Sequence, residues 1–159
     1  MPARPALDAG AKRKPEPPMS SPVAKLKPSV QDIMVYVMVA TSAADGRMSD
    51  PELKSIGIHV QSLPVFEGYG DDDFMAAVRD CTQHLDAEDG LDTIIQMAAG
   101  LPQRLQETAY ALAVDVAAAD LMVAPEEVRL LQMMRDELRL DRLATAAIER
   151  GAKARHQSP

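Results

Sequence analysis

Two pairs of acidic residues carry most of the chemistry open to this sequence. Asp45 and Glu52 are seven positions apart, and so are Asp120 and Glu127. The pairs sit in two stretches that align 75 residues apart: Val39-Ala40-Thr41-Ser42-Ala43-Ala44-Asp45-Gly46-Arg47-Met48-Ser49-Asp50-Pro51-Glu52-Leu53 with Val114-Asp115-Val116-Ala117-Ala118-Ala119-Asp120-Leu121-Met122-Val123-Ala124-Pro125-Glu126-Glu127-Val128. In each, a small-residue helix runs to an Asp, a short loop follows, and a Glu stands in the first turn of the next helix. Four carboxylates with no His or Cys beside them suit a hard divalent cation, Ca²⁺ or Mg²⁺. The spacing is not that of an EF-hand. Counting from Asp45, an oxygen ligand is expected where Arg47 stands, and glycine where Asp50 stands.

Local physics accounts for the four unequally. Glu52 and Glu127 lie in first turns, where the positive end of the helix dipole favours a carboxylate, and Ser49 with Glu52 has capping-box spacing. An Asp at a helix C-terminus faces the negative end, at roughly 0.3–1 kcal/mol. Asp45-Gly46 is a common turn pair, but Asp120 is followed by Leu121. The recurrence calls for an offset, either amides of the following loop or a bound cation.

The Ala-Ala-Asp-Gly-Arg-Met-Ser-Asp-Pro-Glu run and its degenerate second copy resemble the TerB-like tellurite-resistance family. The resemblance spans about Lys27 to Ala154. It implies an all-helical fold of two helix-loop-helix halves and a metal site built from Asp45, Glu52, Asp120 and Glu127. It also implies a part in tellurite resistance and related stress responses. The second copy departs from the pattern, with Leu121 for Gly46 and Ala124 for Ser49, so its turn and its cap are in question.

Other chemistry-bearing residues are read more simply. Cys81 and His84, three apart on one helix, are a buried thiol beside a surface imidazole. His59, near the end of its helix, is a partly protonated ring suited to the dipole. Asp71-Asp72-Asp73 starts a helix, and Asp86, Glu88, Asp89 and Asp92 form a solvated connection. One cysteine and three histidines in the whole chain leave no zinc ribbon and no internal disulfide. There is no Gly-rich phosphate loop, no His-Glu-x-x-His and no nucleophile elbow. The expectation is a non-enzymatic protein. The readings that compete with cation binding are a metal-free helical interaction scaffold with protein partners and a co-chaperone accessory domain. No His-Pro-Asp tripeptide is present for a J-protein.

Helical periodicity positions these residues. Ser29 caps a helix with Val30, Ile33, Met34, Val37, Met38 and Thr41 inward, ending at Asp45-Gly46. Ser49 to Pro64 holds a second, with Leu53, Ile56, Val60 and Leu63 inward. Val65–Gly70 is a loop. Asp71 opens a third helix with the stripe Phe74, Val78, Cys81 and Leu85. A short fourth carries Leu91, Ile94, Ile95 and Ala98. Pro102 starts a fifth, with Leu105, Ala109, Leu112, Ala113 and Val116 inward. Pro125 starts a sixth, with Val128, Leu131 and Met134. A seventh carries Leu143, Ala147 and Ile148. No stretch alternates as a strand. The class is all-α, about seven helices in two pseudo-repeated halves packed as one bundle-like domain, with Met34, Met38, Met133 and Met134 as core filler.

Charge divides the chain's 159 residues further. The net −7 conceals three regions. Residues 1–28 hold six basic and two acidic groups and seven of the twelve prolines. This reads as a disordered basic tail, since it cannot bury enough apolar surface to order itself. Residues 29–128 hold 18 acidic and four basic groups. From residue 129 the chain is weakly basic, with Arg135, Arg139 and Arg142 on one solvated face. The helical domain is read as 29–155 and residues 156–159 as a disordered end. The acid excess and five scattered aromatic rings argue against nucleic-acid binding. The apolar run Ile33–Ala40 mimics a signal peptide but starts too late and repeats downstream, and it falls short of the ~20 residues of a membrane helix. A cytoplasmic protein, not integral to a membrane, is expected.

Overall fold

A computed structural model describes Pro2 and residues 27–159. The reading of 1–28 as a basic tail therefore falls almost wholly outside the described residues. Seven α-helices make up the fold, with no strand among the described residues: α1 Val30–Ser42, α2 Asp50–Ser62, α3 Asp71–Leu85, α4 Gly90–Ala99, α5 Gln103–Ala119, α6 Pro125–Leu138 and α7 Arg142–Arg155. A 3-10 turn, Pro64–Phe66, interrupts the loop expected between α2 and α3 and buries Phe66. Among the described residues no helix is long and apolar enough to cross a membrane.

α1 is the axis of the domain. One inward face was expected, yet every residue from Asp32 to Ser42 is buried, including Val35, Tyr36, Val39 and Ala40. The reason is packing on all sides: α3, α4 and α5 cover most of α1, and α2 and α6 complete the shell. A helix that is apolar all round is a core helix. Met34 and Met38 fill its contacts, fully excluded from solvent.

Burying α1 requires partners for its first-turn amides. Ser29 Oγ accepts the Asp32 amide at 3.1 Å, and Asp32 Oδ2 accepts the Ser29 amide at 2.8 Å. The other oxygen of Asp32 accepts the hydroxyl of Tyr69 at 2.7 Å, which ties the loop before α3 to the start of α1. Burial and this bond raise the Tyr69 hydroxyl far above the ordinary tyrosine range. Asp32 is thus a buried carboxylate held by its acceptor role.

Several apolar positions lie elsewhere than expected. Leu53 is 49% exposed, Val128 42% and Leu143 81%, and Ala147 is also exposed. On α6 the buried stripe is Leu130, Met134 and Leu138, shifted around the helix from Val128, with Leu131 partly buried. On α7 it is Thr145 and Ala152. Ile148, expected inward, packs partly buried against the core, and polar contacts add to the docking of α7. Asp141 caps it through the Leu143 and Ala144 amides. Glu149 Oε1 accepts the Tyr110 hydroxyl at 2.5 Å and Arg135 at 2.6 Å, joining α5, α6 and α7. Arg135 thus pairs across helices rather than along its own face.

α3 and α4 approach so closely that Gly90 is required. A Cβ there would lie 1.7 Å from the backbone oxygen of His84.

Candidate functional site

The loops after α1 and α5 differ in how they turn. α1 ends at Ser42, and Asp45 stands three residues beyond it, outside the helix. Gly46 then takes φ 75°, a left-handed conformation that glycine adopts without strain. α5 ends at Ala119, and Asp120 leaves it in extended conformation, φ −91° and ψ 138°. Leu121 therefore needs no left-handed residue before it or at its own position, which is how the second copy does without glycine.

Both aspartates find the same offset. Asp45 Oδ1 accepts the Arg47 amide at 2.8 Å, and Asp120 Oδ1 accepts the Met122 amide at 3.1 Å. Each carboxylate closes a turn on the amide two residues ahead. Of the two offsets considered from sequence, loop amides are present at both.

The glutamates are placed differently. Glu52 and Glu127 are each only 3% exposed. Glu52 Oε2 accepts the Ser49 amide at 2.8 Å and the Ser49 hydroxyl at 2.8 Å, with the Ser42 hydroxyl at 3.4 Å. The Ser49 oxygen in turn accepts the Glu52 amide at 3.4 Å, so the capping box expected here is formed. Glu127 Oε2 accepts the Ala124 amide at 2.7 Å. With alanine at the cap, only this half of the box exists in the second copy.

The repeat brings the two glutamates together. The carboxyl group of Glu127 lies within hydrogen-bonding reach of that of Glu52. Burial raises the Glu127 carboxyl most, to about 8, and the bond to Glu52 and the charges of Glu52 and Asp45 add to this. The Ala124 amide opposes the rise. Two buried carboxyl groups this close disfavour a second negative charge at the site.

Asp45 and Asp120 remain outside this pair. Asp45 is exposed and Asp120 half-buried, each turned toward its own loop. Among the described residues no three His, Cys, Asp or Glu side chains converge on a point where one ion would sit. The two glutamates are the inner pair of the four expected ligands, and the aspartates are peripheral to it.

No family model, curated protein or solved structure matches the chain.

The remaining candidates resolve simply. Cys81 is fully buried, its thiol donating to the Tyr36 carbonyl at 3.5 Å, and burial pushes it up to about 12. His84 packs its ring obliquely on Tyr36. His59 departs from its expected protonated role. Burial lowers its pKa, outweighing Asp115 at 3.8 Å, and Arg155, which pairs with the same carboxylate, adds to the lowering. The Asp115–Arg155 pair and the Ser42 hydroxyl on Glu52 have no distinguishing mark in sequence.

Proposed function

We propose that this chain is a TerB-like, non-enzymatic domain that takes up one hard divalent cation, Ca²⁺ or Mg²⁺, at the join between its two halves. Glu52 and Glu127 would be the inner ligands. Asp45 and Asp120 would swing in from their turns, with loop carbonyls and water completing the oxygen shell. The observation that carries this reading is the meeting of two buried carboxyl groups from repeat-related helix starts. A divalent cation would offset the negative charge that burial and Glu52 disfavour on Glu127. The resemblance in sequence supplies the wider setting, a cytoplasmic stress response of the tellurite-resistance kind.

The test is thermal unfolding of chelator-treated protein with and without each ion. A ligand at 100 times its Kd adds about 2.7 kcal/mol. The shift should vanish in Glu52→Gln/Glu127→Gln and shrink in Asp45→Asn/Asp120→Asn. No shift with either ion in the native chain sinks the reading.

A metal-free interaction scaffold is the second reading. It is favoured by the turn-closing bonds of Asp45 and Asp120, which give both aspartates a structural role. It predicts that neither ion changes the unfolding temperature.

A further inference from the structure

α5 packs against both α2 and α7, and a cleft of about 380 Å³ lies where the three helices meet. That volume is within the range of small-molecule sites. Its walls are largely apolar, from Pro51, Ile58 and Ala119, with Ser55, His59 and Asp115 set among them. Ser55 and His59 stand about one turn apart on α2, and Asp115 comes from α5.

His59 is the anomaly of this cleft. Among the described residues, its Nε2 is the buried side-chain polar atom left without a hydrogen-bond partner. A buried polar atom of this kind calls for a partner. Asp115 Oδ2 lies 3.8 Å away, too far for a direct bond. The other oxygen, Oδ1, already accepts from Arg155. An oxygen set beside the 3.8 Å line between Nε2 and Oδ2 would stand ~2.8 Å from both at once.

The gap specifies what fills it. Burial lowers the pKa of His59, so the ring is neutral at neutral pH. A carboxylate facing Nε2 favours the tautomer with its proton there. Nε2 then donates and Asp115 Oδ2 accepts. One hydroxyl answers both, its oxygen accepting from His59 and its proton going to Asp115. Charge excludes the other head groups. A cation would meet Arg155 and Lys54 on the cleft wall. An anion would meet the Asp115 carboxylate and has no proton to give it. Nε2 is closed to solvent in this state, and Arg155, its side chain 59% exposed, is the wall residue whose turning outward would admit the oxygen.

We propose that this cleft binds a neutral, hydroxyl-bearing small molecule, a phenol or alcohol, its hydroxyl bridging His59 Nε2 and Asp115 Oδ2 and its apolar body on Pro51 and Ile58. The proposal does not depend on the cation site, and its test leaves Glu52 and Glu127 untouched.

The probes are p-ethylphenol and p-methylcyclohexanol, titrated into the full chain and read by the histidine ring resonances in proton–carbon NMR, with His59→Phe assigning the His59 signal. Saturable movement of that signal is expected with at least one probe. The methyl ether of the binding probe, which has no proton to donate, should bind at least tenfold more weakly, as should p-ethylbenzoate and p-ethylbenzylammonium. Binding followed on the probe's own resonances should fall at least tenfold in His59→Phe and in Asp115→Ala, with helix content by circular dichroism unchanged. Leu143→Ser, at an exposed position on α7, should bind like the native chain. The ether comparison uses the native chain, so it stands even where a variant fails to fold. Equal affinity for the ether, tighter binding of the benzoate or the ammonium probe, or undiminished binding in folded His59→Phe and Asp115→Ala overturns the proposal. No movement of the His59 signal up to the solubility limit of both alcohols also overturns it, and leaves the gap to a water molecule.

Discussion

Glu52 and Glu127 occupy equivalent positions in two copies of one helix-loop-helix, and their buried carboxyl groups meet where the copies join. Each is also tied to the start of its own helix, Glu52 through Ser49 and Glu127 through the Ala124 amide. The pair therefore links two capping interactions to one shared site.

That link gives metal-free protein a specific pH dependence. The folded-state pKa of Glu127 is raised to about 8 from an ordinary value near 4.5. A raised carboxyl contributes stability that is fully present below the unfolded value and is lost as pH rises through the folded one. In the presence of chelator, the denaturation midpoint should fall between about pH 5 and pH 9. Glu127→Gln should flatten this slope. An unchanged slope in the variant would place the pH dependence elsewhere.

The two helix starts should respond unequally to loss of a cap. Ser49→Ala removes a side-chain acceptor for the Glu52 amide and a donor to the Glu52 carboxylate. It should cost about 1 kcal/mol, within the 0.5–2 range for lost N-caps. Ala124→Ser, at the equivalent place on α6, should stabilise by a fraction of that. Urea unfolding of the two variants measures both.

Asp32 should be more sensitive. It is fully buried, caps α1 and accepts the Tyr69 hydroxyl. Tyr69→Phe removes a bond to a fully buried carboxylate and should cost about 1–3 kcal/mol. Asp32→Ala also removes the acceptor of the Ser29 amide and leaves a cavity at a fully buried position, and should cost more. Equal stability of Tyr69→Phe and native protein in urea would show that this bond contributes nothing net.

Gly90→Ala should be among the most damaging single-methyl additions. The new Cβ meets backbone, which cannot rotate away as a side-chain tip can. α3 and α4 would have to separate, and overpacking of this kind typically costs 1–3 kcal/mol or more. Gly57→Ala, on α2 with open space around the position, should instead stabilise slightly. The two unfolding midpoints, compared directly, check the contrast.

Helix class, order and most boundaries were legible because apolar period, caps and prolines agree along the chain. Ser29 and Ser49 take the capping roles their types suggest, whereas α1 stops at Ser42, before the left-handed Gly46 expected to end it. Burial was less legible. Leu53, Val128 and Leu143 fit an inward stripe by spacing, yet which stripe faces inward depends on where neighbouring helices lie. α1 hid its central position because a helix buried all round has no polar face to give the period away. At the site, the repeat pointed to all four carboxylates, but only tertiary packing separates the two glutamates that meet from the two aspartates that close turns.

Cys81 has a practical consequence. It is the chain's one cysteine, wholly enclosed, with a thiol pushed up to about 12. A thiol so seldom ionised and so shielded reacts poorly with alkylating reagents. The native chain is therefore nearly silent to maleimide chemistry as it stands. A cysteine introduced at an exposed position such as Met122 or Leu143 would be the dominant attachment point for a spin label or fluorophore, with no background mutation needed.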